Sequence, residues 1–211
     1  MNFFKDTGFV NPGDSGSLAD YLKKLIPKER DISDFRPEFY CIPKGGSWVG
    51  GKGESTWRPD LDKIPNGGRG NSNPENLTYG EILDKYDIDG IEYKKESYEV
   101  NGEIREDYFA DFTPVAEAEV EIEGMTTDRY KNYAKAAEKL AEKWSVEGKD
   151  GKTDWSPRDV ENWRREHNYT WHEHQDCKTV QLVPREVHCN TRHRGGVSIL
   201  DERNKAIKGG V

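Results

Sequence analysis

The histidines of this chain are concentrated in one short run. Four of the five lie in TWHEHQDCKTVQLVPREVHCNTRHRGG, from Thr170 to Gly196, and the fifth precedes that run by three residues. Imidazole is the commonest metal ligand in proteins and the usual general base near neutral pH. The run therefore predicts a site for metal binding or acid–base chemistry, with the candidates His172, His174, His188 and His193.

The first half of the run predicts a strand, because residues 169–174 are rich in β-forming side chains. Side chains alternate between the two faces of a strand. One face would carry His172, His174 and Asp176, and the other would carry Trp171 and Glu173. The tryptophan can then pack in the core while the imidazoles point into a cleft.

The second half of the run predicts a turn, a strand over residues 179–183 and a helix from Pro184 to about Thr191, closed by glycines 195–196. His188 and His193 are five residues apart, which is about 140° around a helix, whereas co-ligands on one helix usually stand four apart. Either the helix ends before His193 or these two histidines are not co-ligands.

The run resembles the Trp-His-His branch of the HNH/endonuclease VII superfamily, the His-Me finger nucleases. Members of this branch occur as toxin domains of bacterial polymorphic toxins. The resemblance rests on YTWHEHQD, TVQLVP, a histidine on the helix and RHRGG, and more softly on upstream segments such as GGKGESTWRPD and DRYKNYAKAAEKLAE. It covers about residues 45–200. It implies an α+β fold with a ββα-metal core near 165–200, braced by N-terminal helices and short strands.

The resemblance also implies roles for individual residues. His172 corresponds to the general base, Asp176 to the acidic residue after the strand, and Gln181, beside Thr179, is the nearest counterpart of the orienting Asn. The implied metal ligands are His188 and His193, with His174 or Asp176 completing the set. Glu173 stands where many members have a second histidine.

The implied cofactor is a divalent metal ion, namely Mg, Mn, Ni or Zn. Hydrolysis of a phosphodiester needs a deprotonated water, and general-base help is typically worth about 10²–10⁴-fold. It also needs charge neutralisation at the phosphate, which a metal can supply. Basic side chains near the histidines are candidate phosphate contacts, or else solvated surface residues: Lys178, Arg185, Arg192 and Arg194.

The charge of the 211-residue chain is unevenly distributed. The net charge is -8; residues 1–155 hold 22 Lys/Arg against 32 Asp/Glu, whereas residues 156–211 hold 10 against 8. An acidic net charge argues against nucleic-acid binding, because phosphate contacts come mainly from Lys and Arg. The mildly basic part is nevertheless the part that carries the histidines, so a polyanion could dock there.

Delivery and partners are predicted from what the chain lacks and from the resemblance. No apolar run reaches the roughly 20 residues of a membrane span, and no signal-peptide core is present. We therefore expect no membrane insertion, but a secreted effector carried by a larger secretion system into the target-cell cytoplasm. The resemblance further implies a nucleic-acid substrate, with DNA favoured, and a cognate immunity protein.

The remaining sequence predicts two parts, an N-terminal junction (1–44, with a helix at 18–26) and a nuclease domain (45–211). Within the second part, residues 45–76 are predicted to form a loop. Helices are predicted at 77–90, with a Thr78–Glu81 capping box, at 128–144, and from Ser156-Pro157 onward. Strands are predicted at 91–93 and 118–122.

Two other functions stay open at the level of sequence. One is an RNase toxin of the same fold. The other is a non-catalytic protein-binding module in which the histidines hold a structural zinc, a function that the acidic net charge favours. The three cysteines, Cys41, Cys177 and Cys189, form no CxxC pair and predict neither a disulfide scaffold nor a zinc knuckle. A metalloprotease is disfavoured, because the chain has no HExxH helix.

Overall fold

The structure is a computed structural model that describes residues 41–65 and 71–209. The predicted helix at 18–26 and most of the predicted junction lie outside these residues. In chain order the strands are β1 (Ser47–Trp48), β2 (Thr56–Arg58), β3 (Ile91–Val100), β4 (Glu103–Asp111), β5 (Ala118–Glu121), β6 (Tyr169–Glu173) and β7 (Thr179–Pro184). The helices are α1 (Tyr79–Lys85), α2 (Arg129–Glu147), α3 (Pro157–Glu166), α4 (Arg185–His188) and α5 (Gly196–Gly209). The α+β prediction is confirmed.

A four-stranded antiparallel sheet, in the order β1-β2-β3-β4, forms the N-terminal part of the described fold. Its main feature is the long β3–β4 hairpin, whose turn residues Asn101 and Gly102 have φ values of 51° and 88°. Positive φ at both positions is what a two-residue hairpin turn requires, and Asn-Gly is its strongest sequence signal. The sequence interpretation missed β4, and it treated β1 and β2 as loop.

The second sheet has the order β5-β7-β6 and carries the histidine run. Along β5, buried and exposed residues alternate as predicted. The buried face packs on α2 and α3 around a core that includes Leu140, Trp144, Trp171 and Leu182. On the other face, the register of β6 and β7 places His172 directly opposite Gln181.

The helices around this sheet begin where the sequence predicts, although α2 continues to Glu147, beyond the predicted end at residue 144. Asp128 caps α2 by accepting backbone N–H groups of its first turn, and Gly148 ends that helix in the left-handed conformation. Ser156 and Asp159 form a capping box at α3, with Pro157 in the first turn. The Thr78–Glu81 capping box of α1 is also present, although α1 ends at Lys85, earlier than predicted.

The helix after β7 differs from the prediction in length. It is a single turn, Arg185–His188, and it does not reach Thr191. The glycines at 195–196 therefore do not close this helix; Gly196 instead begins α5, which the sequence interpretation did not anticipate. Among the described residues, no helix is both long and apolar enough to cross a membrane.

Candidate metal centre

Three of the five histidines converge on one point. His172 lies on β6, His188 at the end of α4 and His193 in the loop that follows; we call them the three-histidine cluster. One potential ligand atom of each lies within 4.8 Å of the others. The Nδ1 atom of His172 is 3.2 Å from Nε2 of His188, and the rings of His188 and His193 have centroids 4.3 Å apart. The cluster unites side chains from a strand, a helix end and a loop.

The early end of α4 allows His193 to join the cluster. The helix ends at His188, so the 140° separation of a continuous helix no longer applies. The chain then turns back toward the end of β6. A Cβ atom on Gly195 would lie 2.2 Å from the carbonyl oxygen of Glu173 and 3.1 Å from Cε1 of His172. Only glycine permits so close an approach, and it brings His193 beside His172.

Side chains of α1 and the four-stranded sheet hold this loop in place. The Tyr79 hydroxyl donates to the carbonyl oxygen of Asn190 at 3.1 Å, and the Tyr93 hydroxyl donates to that of Arg192. Arg194 is 5% exposed and pairs with Asp107 on β4. These contacts come from residues 87 to 111 positions upstream, so the position of His193 depends on the tertiary fold.

The surroundings of the cluster keep its imidazoles neutral. Phe112 packs against all three rings, with centroid distances of 4.9, 5.4 and 4.9 Å. Burial, followed by the neighbouring histidines, lowers the pKa of His172 and His188 well below 6.5. Burial also lowers the pKa of His193 to about 4. Neutral imidazoles retain the lone pairs that a metal ion needs.

The donor set fits a divalent transition-metal ion. The Nδ1 atom of His193 lies 2.8 Å from the carbonyl oxygen of Thr191. A histidine that binds a metal typically donates its other ring N–H in this way, which leaves Nε2 for the metal. The Nε2 atom of His172 is buried and has no hydrogen-bond partner among the described residues. Three imidazoles suit Zn or Ni better than Mg.

Gln181 lies beside the cluster, opposite His172 in the sheet. Its amide nitrogen donates to Thr113 Oγ at 3.2 Å and to the carboxylate of Glu119. Its side-chain oxygen is buried without a partner in the described part of the chain. The structure thus brings the predicted catalytic residue Gln181 next to the site, and Glu119 on β5 holds its side chain there.

His174 and Asp176 lie outside the cluster. Strand β6 ends at Glu173, so the predicted face shared by His172, His174 and Asp176 does not extend past His172. Asp176 accepts hydrogen bonds from the backbone N–H groups of Lys178 and Thr179 at 2.9 and 2.8 Å and shapes the β6–β7 turn. Its carboxylate lies 3.3 Å from Nδ1 of His174 and helps to raise the pKa of that histidine against the effect of burial.

The four cations that the sequence offers as candidate phosphate contacts lie in different environments. Lys178 is exposed and pairs with Glu121 at 2.9 Å. Arg185 begins α4 and Arg192 is exposed next to His193. Arg194 differs from the other three, because it is buried between Asp107 and Glu202. The structure thus places Arg194 inside the fold, where its guanidinium holds the loop rather than facing solvent.

Sequence reasoning missed Arg129, a cation that pairs with the last residue of β6. It is the first residue of α2, and its Nη1 atom lies 2.5 Å from Oε2 of Glu173, the residue that follows His172. The charge of Arg129 contributes to the lowered pKa of all three cluster histidines, after burial in each case. No sequence motif links Arg129 to a residue 44 positions away, so only the fold reveals the pair.

Comparison with known proteins bears on this same part of the chain. Residues 101–195 match the family described as the DNase/tRNase domain of colicin-like bacteriocins. The matched segment contains β4 to α4 and all three cluster histidines. A comparison with curated proteins finds no match. The family match supports a nuclease toxin function, and it supports DNA and tRNA cleavage equally.

Proposed function

We propose that this chain is a metal-dependent endonuclease toxin of the His-Me finger type, in its Trp-His-His branch, which hydrolyses phosphodiester bonds of nucleic acid. The observation that carries the proposal is the convergence of His172, His188 and His193 within the segment that matches a nuclease family. The order β6, turn, β7, α4 agrees with the ββα-metal arrangement that the sequence resemblance implies.

We assign His172 as the third metal ligand. The sequence interpretation gives it the role of general base, but its ring lies in the same cluster as His188 and His193, and burial lowers its pKa as it lowers theirs. A bound metal would bind the scissile phosphate and stabilise the leaving oxygen. Phe112 excludes water from one side of the rings, and the hydrogen bond from His193 to Thr191 fixes the orientation of that ring.

The number of ligands favours catalysis over a structural zinc. Structural zinc sites usually have four protein ligands, whereas catalytic sites have three and leave one position open. The cluster provides three ligands, and no further His, Cys, Asp or Glu joins it among residues 41–65 and 71–209. The zinc-stabilised binding module is therefore the weaker alternative.

The biological setting is part of the proposal. A toxin related to bacteriocin nucleases would be a secreted effector delivered by a larger secretion module. It would act on nucleic acid in the target-cell cytoplasm and be neutralised in the producer by a cognate immunity protein. DNA is the favoured substrate, and an RNase of the same fold is the close alternative.

The test is cleavage of supercoiled plasmid and of tRNA by purified protein with Mg, Mn, Ni or Zn, beside an EDTA control. We expect metal-dependent cleavage that His188→Ala abolishes. His167→Ala is the matched control, because His167 stacks on Trp163 with a centroid distance of 4.0 Å and does not belong to the cluster. Preference for plasmid over tRNA would support a DNase.

Two outcomes would contradict the proposal. One is a protein that cleaves neither substrate in any metal. The other is a protein that cleaves equally well after His188→Ala. If the inactive protein also unfolded on chelation, the structural-zinc binding module would replace the proposal, because loss of a structural metal is loss of folding free energy.

A further inference from the structure

Gln181 and His172 lie side by side on one face of the second sheet. They are directly opposite each other in the register of β6 and β7. Residues in such a pair project from the same face of the sheet, with Cβ atoms about 4.5–5.5 Å apart. Both side chains are buried, with exposed fractions of 1% for Gln181 and 3% for His172. The backbone pairing therefore places Gln181 beside the three-histidine cluster.

The contacts of the Gln181 amide nitrogen agree with this placement. The Nε2 atom donates to Thr113 Oγ at 3.2 Å, and Thr113 directly follows Phe112 in the chain. Phe112 is the residue that packs against the rings of all three cluster histidines. The side chain of Gln181 thus reaches the neighbour of the aromatic residue that borders the cluster.

Glu119 fixes which way the amide of Gln181 faces. The register of β5 and β7 places Glu119 directly opposite Gln181, on the side of β7 away from β6. Its carboxylate accepts a hydrogen bond from Nε2 of Gln181. An ionised carboxylate can only accept hydrogen bonds, whereas an amide has a donating nitrogen and an accepting oxygen. The nitrogen must therefore face Glu119, and the amide oxygen is turned away from that carboxylate.

The amide oxygen is left with an unused capacity to accept. Gln181 Oε1 and His172 Nε2 are both buried, and neither has a hydrogen-bond partner among residues 41–65 and 71–209. Buried polar atoms are normally satisfied by a protein group or by an ordered water. Two unsatisfied atoms on neighbouring strands indicate a place for polar ligands. A metal ion would take the imidazole nitrogen, which leaves the amide oxygen for a water.

We propose that the amide oxygen of Gln181 holds the attacking water at the three-histidine cluster and that Glu119 is its positioning residue. This inference rests on the proposed nuclease function. The water would donate one hydrogen to Gln181 Oε1. An amide oxygen accepts a hydrogen bond without taking the proton, so the contact orients the lone pair of the water toward phosphorus. Glu119 prevents a flip of the amide, which would present N–H donors to the water instead.

The first test compares Glu119→Gln with Glu121→Gln in metal-free protein. The new amide at 119 can donate as well as accept, so both orientations of the Gln181 amide become possible. Glu121→Gln removes the same charge from the same strand, but Glu121 pairs with Lys178 at 2.9 Å. NMR measures the exchange of the Gln181 side-chain amide protons with solvent. We expect Glu119→Gln to accelerate it about tenfold, because the hydrogen bond loses its charged acceptor, and Glu121→Gln to leave it unchanged.

The second test measures plasmid cleavage and metal affinity of Gln181→Met, which has a similar volume but no amide. We expect kcat to fall about 10²-fold, the effect of a misplaced reacting group, with KM unchanged because Gln181 contacts the water and not the substrate. Zn or Ni affinity should match that of wild type. Glu119→Gln should lower kcat less, and Glu121→Gln should not lower it. Glu119 is exposed, so its variant reports the effect even if Gln181→Met folds poorly.

The outcomes separate this inference from the proposed function. If wild-type protein cleaves nucleic acid and Gln181→Met keeps its kcat, the water-holding role is overturned and the nuclease stands. If Gln181→Met weakens metal binding as much as the loss of a cluster histidine does, Gln181 is a metal ligand and the role is again overturned. Slow amide exchange in Glu119→Gln would overturn the positioning role of Glu119. A wild-type protein that cleaves neither plasmid nor tRNA overturns both proposals.

Discussion

The Nδ1 atom of His172 lies 3.2 Å from the Nε2 atom of His188, although the two residues are 16 positions apart in the chain. Two neutral imidazole nitrogens at this separation can share a proton or face a common cation. His193 completes the group from a third element. This arrangement distinguishes the cluster from His174, which lies beyond the strand end.

Metal binding should depend on the three cluster histidines and not on His174. We expect alanine at His172, His188 or His193 to lower Zn or Ni affinity by more than the roughly 10–100-fold that loss of a mere supporting residue costs. His174→Ala is the matched control and should bind as wild type does. Isothermal titration calorimetry measures both. Equal weakening by His174→Ala would show that the cluster is not the complete ligand set.

The metal-free protein should lose stability as the pH falls from 6.5 toward 4. Burial places the pKa of His193 at about 4, below 6.5, and lowers the pKa of His172 and His188 as well. The unfolded chain therefore binds more protons in this window, so the free energy of unfolding falls with falling pH, by about 1.4 kcal/mol per pH unit for each proton. Urea denaturation across the window should show a shallower slope for His193→Asn, and identical profiles would refute the assignment.

Gly195→Ala should disrupt the approach of the His193 loop to β6. The added methyl group would collide with the Glu173 carbonyl oxygen, which belongs to a strand and cannot yield easily. We expect a loss of about 1–3 kcal/mol in the free energy of unfolding, typical of overpacking, together with weaker metal binding. Gly51→Ala is the control, since a Cβ there meets nothing within 4 Å. Unchanged stability and metal affinity in Gly195→Ala would speak against this packing.

Arg194→Met should destabilise the fold strongly. Its guanidinium is buried between the carboxylates of Asp107 and Glu202, and removing one partner of a buried pair typically costs about 3–5 kcal/mol. Arg158→Met, at an exposed position in the first turn of α3, should change stability by less than about 0.5 kcal/mol. Chemical denaturation compares the two. If Arg194→Met changes stability little but abolishes salt-dependent DNA binding, Arg194 is instead a phosphate contact, the role for which the sequence made it a candidate.

Local signals were sufficient for the elements that surround the site. The caps at Thr78, Asp128 and Ser156 each satisfy backbone N–H groups of their own helix, so their effect is contained in a few neighbouring residues. The alternation in β5 likewise reports which of its faces is buried, and the β-forming residues of β6 predict that strand. The Asn101-Gly102 turn carried an equally local signal for the β3–β4 hairpin, and it was overlooked.

The sequence by itself determined which side chains could do chemistry: it concentrated the imidazoles and placed them on a strand and a helix. It left two possibilities for His193, that the helix ends before it or that it is not a co-ligand of His188. Only the tertiary structure decided which of them meet. His193 reaches His172 because Tyr93 and Asp107, on a different sheet, hold the loop, and because Gly195 admits close contact with β6. Contacts between residues so distant in the chain depend on the packing of whole elements, and no local pattern encodes them. The pairing of Arg129 with Glu173 was invisible in the sequence for the same reason.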